Sequence, residues 1–338
     1  MELSICTDIF AGMTLAAMLD TVQSYGIHSV ELTTGGWGAC RFIPSAAELA
    51  ENPMALAAFR EELNRRNMTI SALNCSGNQL CPGAIGKAHT RTIRDTVRLA
   101  EKLGVKTLVL MSGLPAASPG DETPNWITST VSWPEFQGRN YMKDALCYQW
   151  DAAASWWTEF TAFARDHGIE RLAIEEFPCQ LVHNVRTLNQ LCDRVGGELS
   201  RLIGMNLDPS HLLVQGADPI LAARALGDKL FYIHGKDARI ERGLSAVDGL
   251  LENLPVENTS RRTWNYVAIG CGQNEQWWKE FLSVARMSGY DGPVSIEMED
   301  LTMSVEAGLQ ISVRTLRDAL GNETALQNAG FKIGIRGK

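Results

Sequence analysis

Short β-branched or aliphatic runs alternate with longer segments of helical period from one end of this 338-residue chain to the other. No other feature constrains the fold as strongly, because this is the pattern of βα units wrapped around a parallel sheet. Eight strands can be counted: LSIC (3–6), HSVELT (28–33), TISALNC (69–75), KTLVLMS (106–112), RLAIEE (171–176), LIGMNLD (202–208), KLFYIHG (229–235) and GPVSIEME (292–299). The helices between them read MTLAAMLDTVQSYG, with Gly26 as its C-cap, then AELAENPMALAAFREELNRRN, then residues 90–104, where Ile93, Val97, Ala100 and Leu103 recur at helical spacing. AAASWWTEFTAFARDHG precedes strand five, another helix begins near Asp218-Pro219, EQWWKEFLSVARMSG precedes strand eight, and SVEAGLQISVRTLRDAL closes the domain. No repeat of solenoid type recurs, so an eight-stranded (β/α) barrel is the simplest closure. A doubly wound open sheet is the alternative, but no GxGxxG follows strand one and no Walker-type loop is present, which weakens nucleotide-binding readings.

One domain is expected over residues 1–320, with a polar, Gly-rich tail at 321–338 that is peripheral or packs on a neighbour. Two connections are long. Residues 113–150 carry Pro115, Pro119, Pro124 and Pro134 with Trp126, Trp133 and Tyr141, and read as a lid or substrate wall, a merely structural excursion or an oligomer contact being the alternatives. Residues 236–276 form the second. The net charge of −8, with Lys and Arg scattered, lacks the electrostatic footprint of a nucleic-acid binder. The eight cysteines form no CxxC pair and read as reduced, structural residues. MELSICTDIF lacks the basic and apolar regions of a signal peptide, and no apolar run is long enough for a membrane span, so the expected location is cytoplasmic.

Four of the strands end in a carboxylate or an imidazole. LAIEE, IGMNLDPSH, FYIHGKD and VSIEMED place Glu175, Asp208, His234 and Glu297 on strands five to eight. In a (β/α) barrel the C-terminal strand ends form the active-site face. One acidic residue there is weak evidence, since helix caps and solvated loop carboxylates are common. Four on successive strands are harder to dismiss, and three carboxylates converging without a cation would repel one another. A divalent metal resolves that conflict. The oxygen-rich set suits Mn²⁺ or Mg²⁺, with Co²⁺ or Zn²⁺ tolerated. Such a metal polarises a carbonyl and lowers the cost of the enolate formed when a neighbouring proton is removed, so proton abstraction next to a carbonyl is the expected chemistry.

IEEFPCQLVHN, NLDPSHLLVQGADP, HGKD, GYDGPVSIEMED and TRTIRDTVRLAEKLGV together resemble the sugar phosphate isomerase/epimerase family with the xylose isomerase-like barrel. The likeness runs over nearly the whole chain and is densest between 171 and 300. It implies that Glu175, Asp208, His234 and Glu297 are metal ligands, that Glu175 and Glu297 also serve as the acid/base pair on opposite faces of a sugar, and that His211 contacts a substrate oxygen. Phe177 departs from the pattern, since His or Asn often follows the ligand glutamate by two residues. That puts the substrate surroundings in doubt, not the metal.

Neighbouring residues have competing readings. Lys236 and Asp237 bind substrate oxygens or form a local ion pair. Asn74 is a hydroxyl ligand or a backbone cap. Trp264, Trp37 and Trp126 stack on a sugar ring or fill the core. Strand alternation turns Glu176 away from Glu175, while Glu299 shares the face of Glu297 farther out. His183 and His89 read as bystanders more than as ligands. The function implied is a metal-dependent sugar isomerase or epimerase acting on a small keto-sugar, with no membrane or nucleic-acid partner and a possible homo-oligomer. Loss of a β-substituent from a 3-keto-glycoside or an inositol-derived ketone would make the same site a lyase or dehydratase. A metal-dependent endonuclease would require more histidines, and a non-catalytic sugar-binding protein would not need all four ligands. The absence of a Gly-rich phosphate cradle favours an unphosphorylated sugar.

Overall fold

The computed structural model describes residues 1–130 and 140–321. Trp133 and Pro134 of the first long connection, and the tail beyond Gly321, lie outside the described residues. The strands are β1 (Glu2–Cys6), β2 (Ser29–Thr33), β3 (Thr69–Asn74), β4 (Thr107–Met111), β5 (Arg171–Glu175), β6 (Ile203–Leu207), β7 (Leu230–Gly235), β8 (Asp237–Ile240), β9 (Trp264–Val267) and β10 (Pro293–Ile296). All of these except β8 and β9 form a closed parallel barrel in the order β1-β10-β7-β6-β5-β4-β3-β2. Closure is made by β1, which pairs with β2 on one side and with β10 on the other through Glu2↔Pro293 to Ile5↔Ile296. The eight barrel strands are the eight expected from the alternation of runs, and they build a single domain.

The helices are α1 (Leu15–Ser24), α2 (Ala46–Glu51), α3 (Pro53–Asn64), α4 (Gly83–Leu103), α5 (Tyr141–Asp166), α6 (Val185–Val195), α7 (Pro209–Val214), α8 (Pro219–Leu226), α9 (Arg242–Asp248), α10 (Glu275–Met287) and α11 (Val305–Leu320). The main core lies between this ring and the barrel, with Trp157, Phe160, Trp278 and Phe281 from α5 and α10 fully buried. Inside the barrel a separate small cluster of Ala72, Val109, Ala173 and Tyr232 takes one residue from each of β3, β4, β5 and β7. Two residues further along, the same strand face carries Asn74, Glu175 and His234, because side chains of a strand alternate with a period of two. None of the described helices is long and apolar enough to cross a membrane. All eight cysteines are free; Cys147 and Cys179 are exposed, and Cys6, Cys75 and Cys192 are buried.

Local chemistry alters three of the expected elements. The helix expected over 47–67 is two helices: Asn52 ends α2 and caps α3, accepting from the Met54 and Ala55 amides, with Pro53 in the first turn of α3. Part of the expected loop at 113–150 is helical. Asn140 caps α5 through the Lys143 amide, and its first residues are exposed, so no apolar stripe marks them in the sequence. The 236–276 connection is not an irregular loop, since β8 and β9 pair as an antiparallel ribbon from Asp237↔Val267 to Ile240↔Trp264.

Candidate active site

Glu175 ends β5, Asp208 and Glu297 directly follow β6 and β10, and His234 lies next to last in β7. One ligand atom from each lies within 4.8 Å of all the others. His234 Nδ1 is 3.6 Å from Glu175 Oε1 and 3.5 Å from Glu297 Oε1, too far for hydrogen bonds. Donors sharing one cation at about 2.1 Å bonds stand roughly 3.0–3.5 Å apart, so these gaps suit a shared ion. His234 Nδ1 and Asp208 Oδ2 are both buried without a hydrogen-bond partner. Orphaned buried polar atoms cost about 1–3 kcal/mol each, and a divalent cation held by the four residues would satisfy both. The donor set and the two orphan atoms therefore fit a metal.

Each residue of the cluster is held by a second interaction. Asp208 is the N-cap of α7: its Oδ1 accepts from the Ser210 amide at 2.8 Å and hydroxyl at 2.7 Å, which leaves Oδ2 facing the cluster. The cap and the ligand readings of this residue thus use different oxygens. Both oxygens of buried Glu176 receive the Asp208 backbone N–H, at 3.0 and 3.3 Å, so the residue turned away from Glu175 anchors Asp208. His234 Nε2–H donates to Glu31 at 3.1 Å, and Asn74 Nδ2 donates to the same carboxylate at 2.6 Å. Asn74 Oδ1 is taken by the Ser76 amide. The side chain expected to bind a substrate hydroxyl is thereby engaged in holding Glu31.

Glu31 was not among the residues singled out from sequence, yet it stands in HSVELT near a strand end, like the four that were. A carboxylate that accepts the N–H of the far nitrogen of a metal-binding imidazole fixes that ring's tautomer and orientation. Glu31→Gln is expected to weaken divalent-metal affinity about 10–100-fold with little change in melting temperature. Calorimetric titration with Mn²⁺ or Zn²⁺ measures it, and an unchanged affinity would remove the orienting role.

His211, buried in α7, donates Nε2–H to Glu175 Oε1 at 2.9 Å. Because the carboxylate only accepts, His211 Nδ1 is left to accept from the Tyr266 hydroxyl at 3.0 Å. Tyr266 sits on β9, inside the second long connection, and sequence gave no signal for it. Lys236 Nζ lies 3.0 Å from Glu297 Oε2, 3.0 Å from Glu299 Oε2 and 3.9 Å from Asp208 Oδ2, with the Tyr266 ring 4.5 Å below. The two glutamates therefore have different environments. Burial raises Glu175, but the His234 charge and the hydrogen bond from His211 more than offset it and hold its carboxyl well below the usual range. Glu297 is pushed up to about 7 by burial, against the pull of Lys236 and His234.

Asp237 is not brought to the cluster. Its oxygens accept from the backbone amides of Ala238, Gly270, Gly272 and Gln273, so the residue organises a loop and has no lone pair left for substrate. Trp264 lines a cavity of about 340 Å³ with Tyr266 and Glu299, and its indole donates to Leu250 O. Phe177 packs edge-on against His211 at 4.5 Å, with the half-exposed Trp37 ring 6.2 Å beyond it. Trp126 and His183 line a different cavity of about 370 Å³, and His89 Nδ1 accepts the Asn78 amide proton.

Comparison with known proteins adds to this geometry. Residues 19–319 match the model of the xylose isomerase-like TIM barrel family. An uncharacterised protein of Bacillus subtilis (strain 168), YfiH, is 49% identical over 321 residues, which is 95% of this chain and 99% of that protein. Among solved structures, an IOLI protein with a bound zinc atom superposes with a TM-score of 0.64 at 18% identity, over 95% of this chain and 98% of the other. An L-ribulose 3-epimerase does so with a TM-score of 0.60 at 14% identity, over 100% and 99% of the two chains. At these identities the two structures speak for the fold alone. With a barrel closed by β1 and β10, a carboxylate-rich cluster at its C-terminal mouth and a family match over most of its length, the chain belongs to the xylose isomerase-like TIM barrel family.

Proposed function

We propose that this protein is a divalent-metal-dependent isomerase or epimerase of a keto-sugar, moving a proton on the carbon next to the carbonyl. The observation that carries this reading is the placement of Glu175 and Glu297 on either side of His234, each with its own nitrogen partner, His211 for one and Lys236 for the other. Glu175, Asp208, His234 and Glu297 would hold the metal, with Mn²⁺ or Mg²⁺ preferred and Co²⁺ or Zn²⁺ accepted by the same donors. When bound, the metal supplies Lewis-acid polarisation of the substrate carbonyl.

The chain's own groups do the rest. One carboxylate, ionised, takes the C–H proton as the C–H electron pair moves into the adjacent bond and the carbonyl pair moves onto oxygen. The Lys236 ammonium, 3.0 Å from Glu297 Oε2, would donate to the substrate carbonyl oxygen. The other carboxyl, protonated, returns a proton to the opposite face of the same carbon as the carbonyl re-forms, giving the epimer, or to the former carbonyl carbon while the adjacent hydroxyl passes its proton to the old carbonyl oxygen and becomes the new carbonyl, giving the isomer. The two glutamates end with their protonation states exchanged. An L-ribulose 3-epimerase shares this fold, and epimerisation is one outcome of the proposed chemistry.

Turnover in deuterated water tests it. Metal-loaded protein is incubated with unphosphorylated and phosphorylated ketopentoses and ketohexoses and with 3-keto-glycosides, followed by NMR. Deuterium at the carbon beside the carbonyl together with a released isomer is the expected result. Deuterium uptake with loss of a β-substituent would replace the isomerase by a lyase or dehydratase, and no exchange with any keto-sugar would reject the proton-transfer reading.

A further inference from the structure

Outside the cluster, the ribbon and the segment after β10 enclose a second compartment, the cavity of about 340 Å³. It joins the metal-ligand cluster through two shared side chains. Tyr266 lines it and bonds His211 through its hydroxyl, and Glu299 lines it and pairs with Lys236. Trp264 and Tyr266, two residues apart on one face of β9, stand 5.2 Å centre to centre and extend an aromatic wall outward from Lys236.

Arg262 and Asn265, two polar groups of this compartment, are already engaged. The Arg262 guanidinium lies over the Trp264 ring at 4.4 Å, while its Nε donates to Trp264 O and its Nη1 to Leu254 O. Asn265 Nδ2 donates to Glu241 and to Thr259 O. Neither is arranged to cradle a phosphate or to grip several hydroxyls. The aromatic wall instead faces a rim with Leu301 57% and Val256 49% exposed, large apolar side chains that none of the described residues buries. A dry cavity of about 150 Å³ holds benzene, so this one has room for a larger ring system.

We propose that this cavity is a subsite for an apolar ring attached to the sugar, so that the substrate is a keto-sugar bearing an aryl or similar apolar appendage. The inference rests on the reading of the adjacent cluster as the keto-sugar site. The sugar carbonyl occupies the cluster between Glu175 and Glu297, and the appendage leaves past Tyr266 to stack on Trp264. Burial of the appendage supplies affinity that a bare sugar lacks.

The test is titration of metal-loaded protein with phenyl 3-keto-β-D-glucopyranoside and with methyl 3-keto-β-D-glucopyranoside, by calorimetry and by saturation transfer to the glycoside protons. The phenyl glycoside is expected to bind at least roughly tenfold more tightly. Trp264→Ala should abolish that preference, and Leu301→Glu, at an exposed position, should reduce it without affecting the fold. Metal content and the circular dichroism spectrum are checked for both variants. Equal affinities, no binding of either glycoside, or a preference that survives both substitutions would overturn the proposal. A phenyl preference in protein that exchanges no deuterium with any keto-sugar would keep the subsite and reject the isomerase reading, so the two can fail separately.

Discussion

Glu175→Gln and Glu297→Gln are each expected to lower turnover by about 10²–10⁴-fold, the usual contribution of a positioned general acid or base. Glutamine keeps the volume and one oxygen donor while removing the ability to carry a proton. Both side chains are also ligands in the proposed site, so loss of metal must be separated from loss of chemistry. Elemental analysis of the same samples does that. At full metal occupancy, kcat should fall with little change in KM, and deuterium exchange into substrate should fall in parallel. The variants should also differ from each other. Glu175 receives His211 and is held ionised, whereas Glu297 sits near neutrality at about 7, so Glu175→Gln removes the stronger negative charge beside His234 and should lose metal more readily. Full turnover in both variants with metal bound would end the assignment of these two carboxylates as the proton-transfer pair.

Asp237→Ala is expected to destabilise the protein by several kcal/mol, on the order of 3–5, through backbone groups instead of catalysis. The carboxylate collects the amides of Ala238, Gly270, Gly272 and Gln273, and the Trp278 indole lies at 3.4 Å. Each donor left buried without an acceptor costs about 1–3 kcal/mol, and local rearrangement recovers part of the sum. The glycines show how close the approach is. A Cβ at Gly272 would fall 2.3 Å from Ala238 O and 2.6 Å from Asp237 Oδ1, and Gly270 has φ +96. Only a residue without a side chain lets this turn fold down onto the carboxylate.

The effect should depend on pH in a stated direction. Burial raises Asp237 from 3.8 to about 6, hydrogen bonds from Gln273, Gly270, Trp278 and Gly272 opposing it. The native state therefore binds the extra proton between those two values. Its stabilising contribution is fully present below 3.8 and is lost as pH rises through about 6. The span of 6 − 3.8, about 2.2 units, corresponds to about 3 kcal/mol at most. Denaturant titrations of wild type and variant at pH 4 and pH 7 should show the larger difference at pH 4. A difference independent of pH would mean that Asp237 is ionised throughout, and a difference near zero would remove its structural role.

The strands were the legible part of the fold because a strand buried on both faces must be a short apolar run, and such runs stand out between helical segments. Elements without an apolar signature were not. The start of α5 at Tyr141 is exposed and rests on the Asn140 cap, and the break at Asn52-Pro53 interrupts an otherwise continuous helical pattern. The ribbon β8–β9 was hidden because each strand is only four residues long and pairs across an intervening segment, with Arg239 and Asn265, opposite one another, both donating to Glu241. In the cluster, the four strand-end residues do come together, but Glu31, Glu176 and Tyr266 act through partners from 32 to 203 residues away in sequence.

The amino-acid sequence by itself determined the eight βα units and, through the period of two along each strand, which side chains stand at the C-terminal ends facing inward. Closure of the barrel decided everything that depends on who meets whom: that Asn74 and His234 share Glu31, that Asp208 divides its two oxygens between a helix cap and the cluster, that Asp237 turns away to a loop of glycines, and that Trp264 and Tyr266 wall a cavity beside the cluster. Local pattern follows from each residue's own chemistry and that of its near neighbours. Partnership follows from strand register and loop path, which are set only when the whole sheet pairs and its core packs.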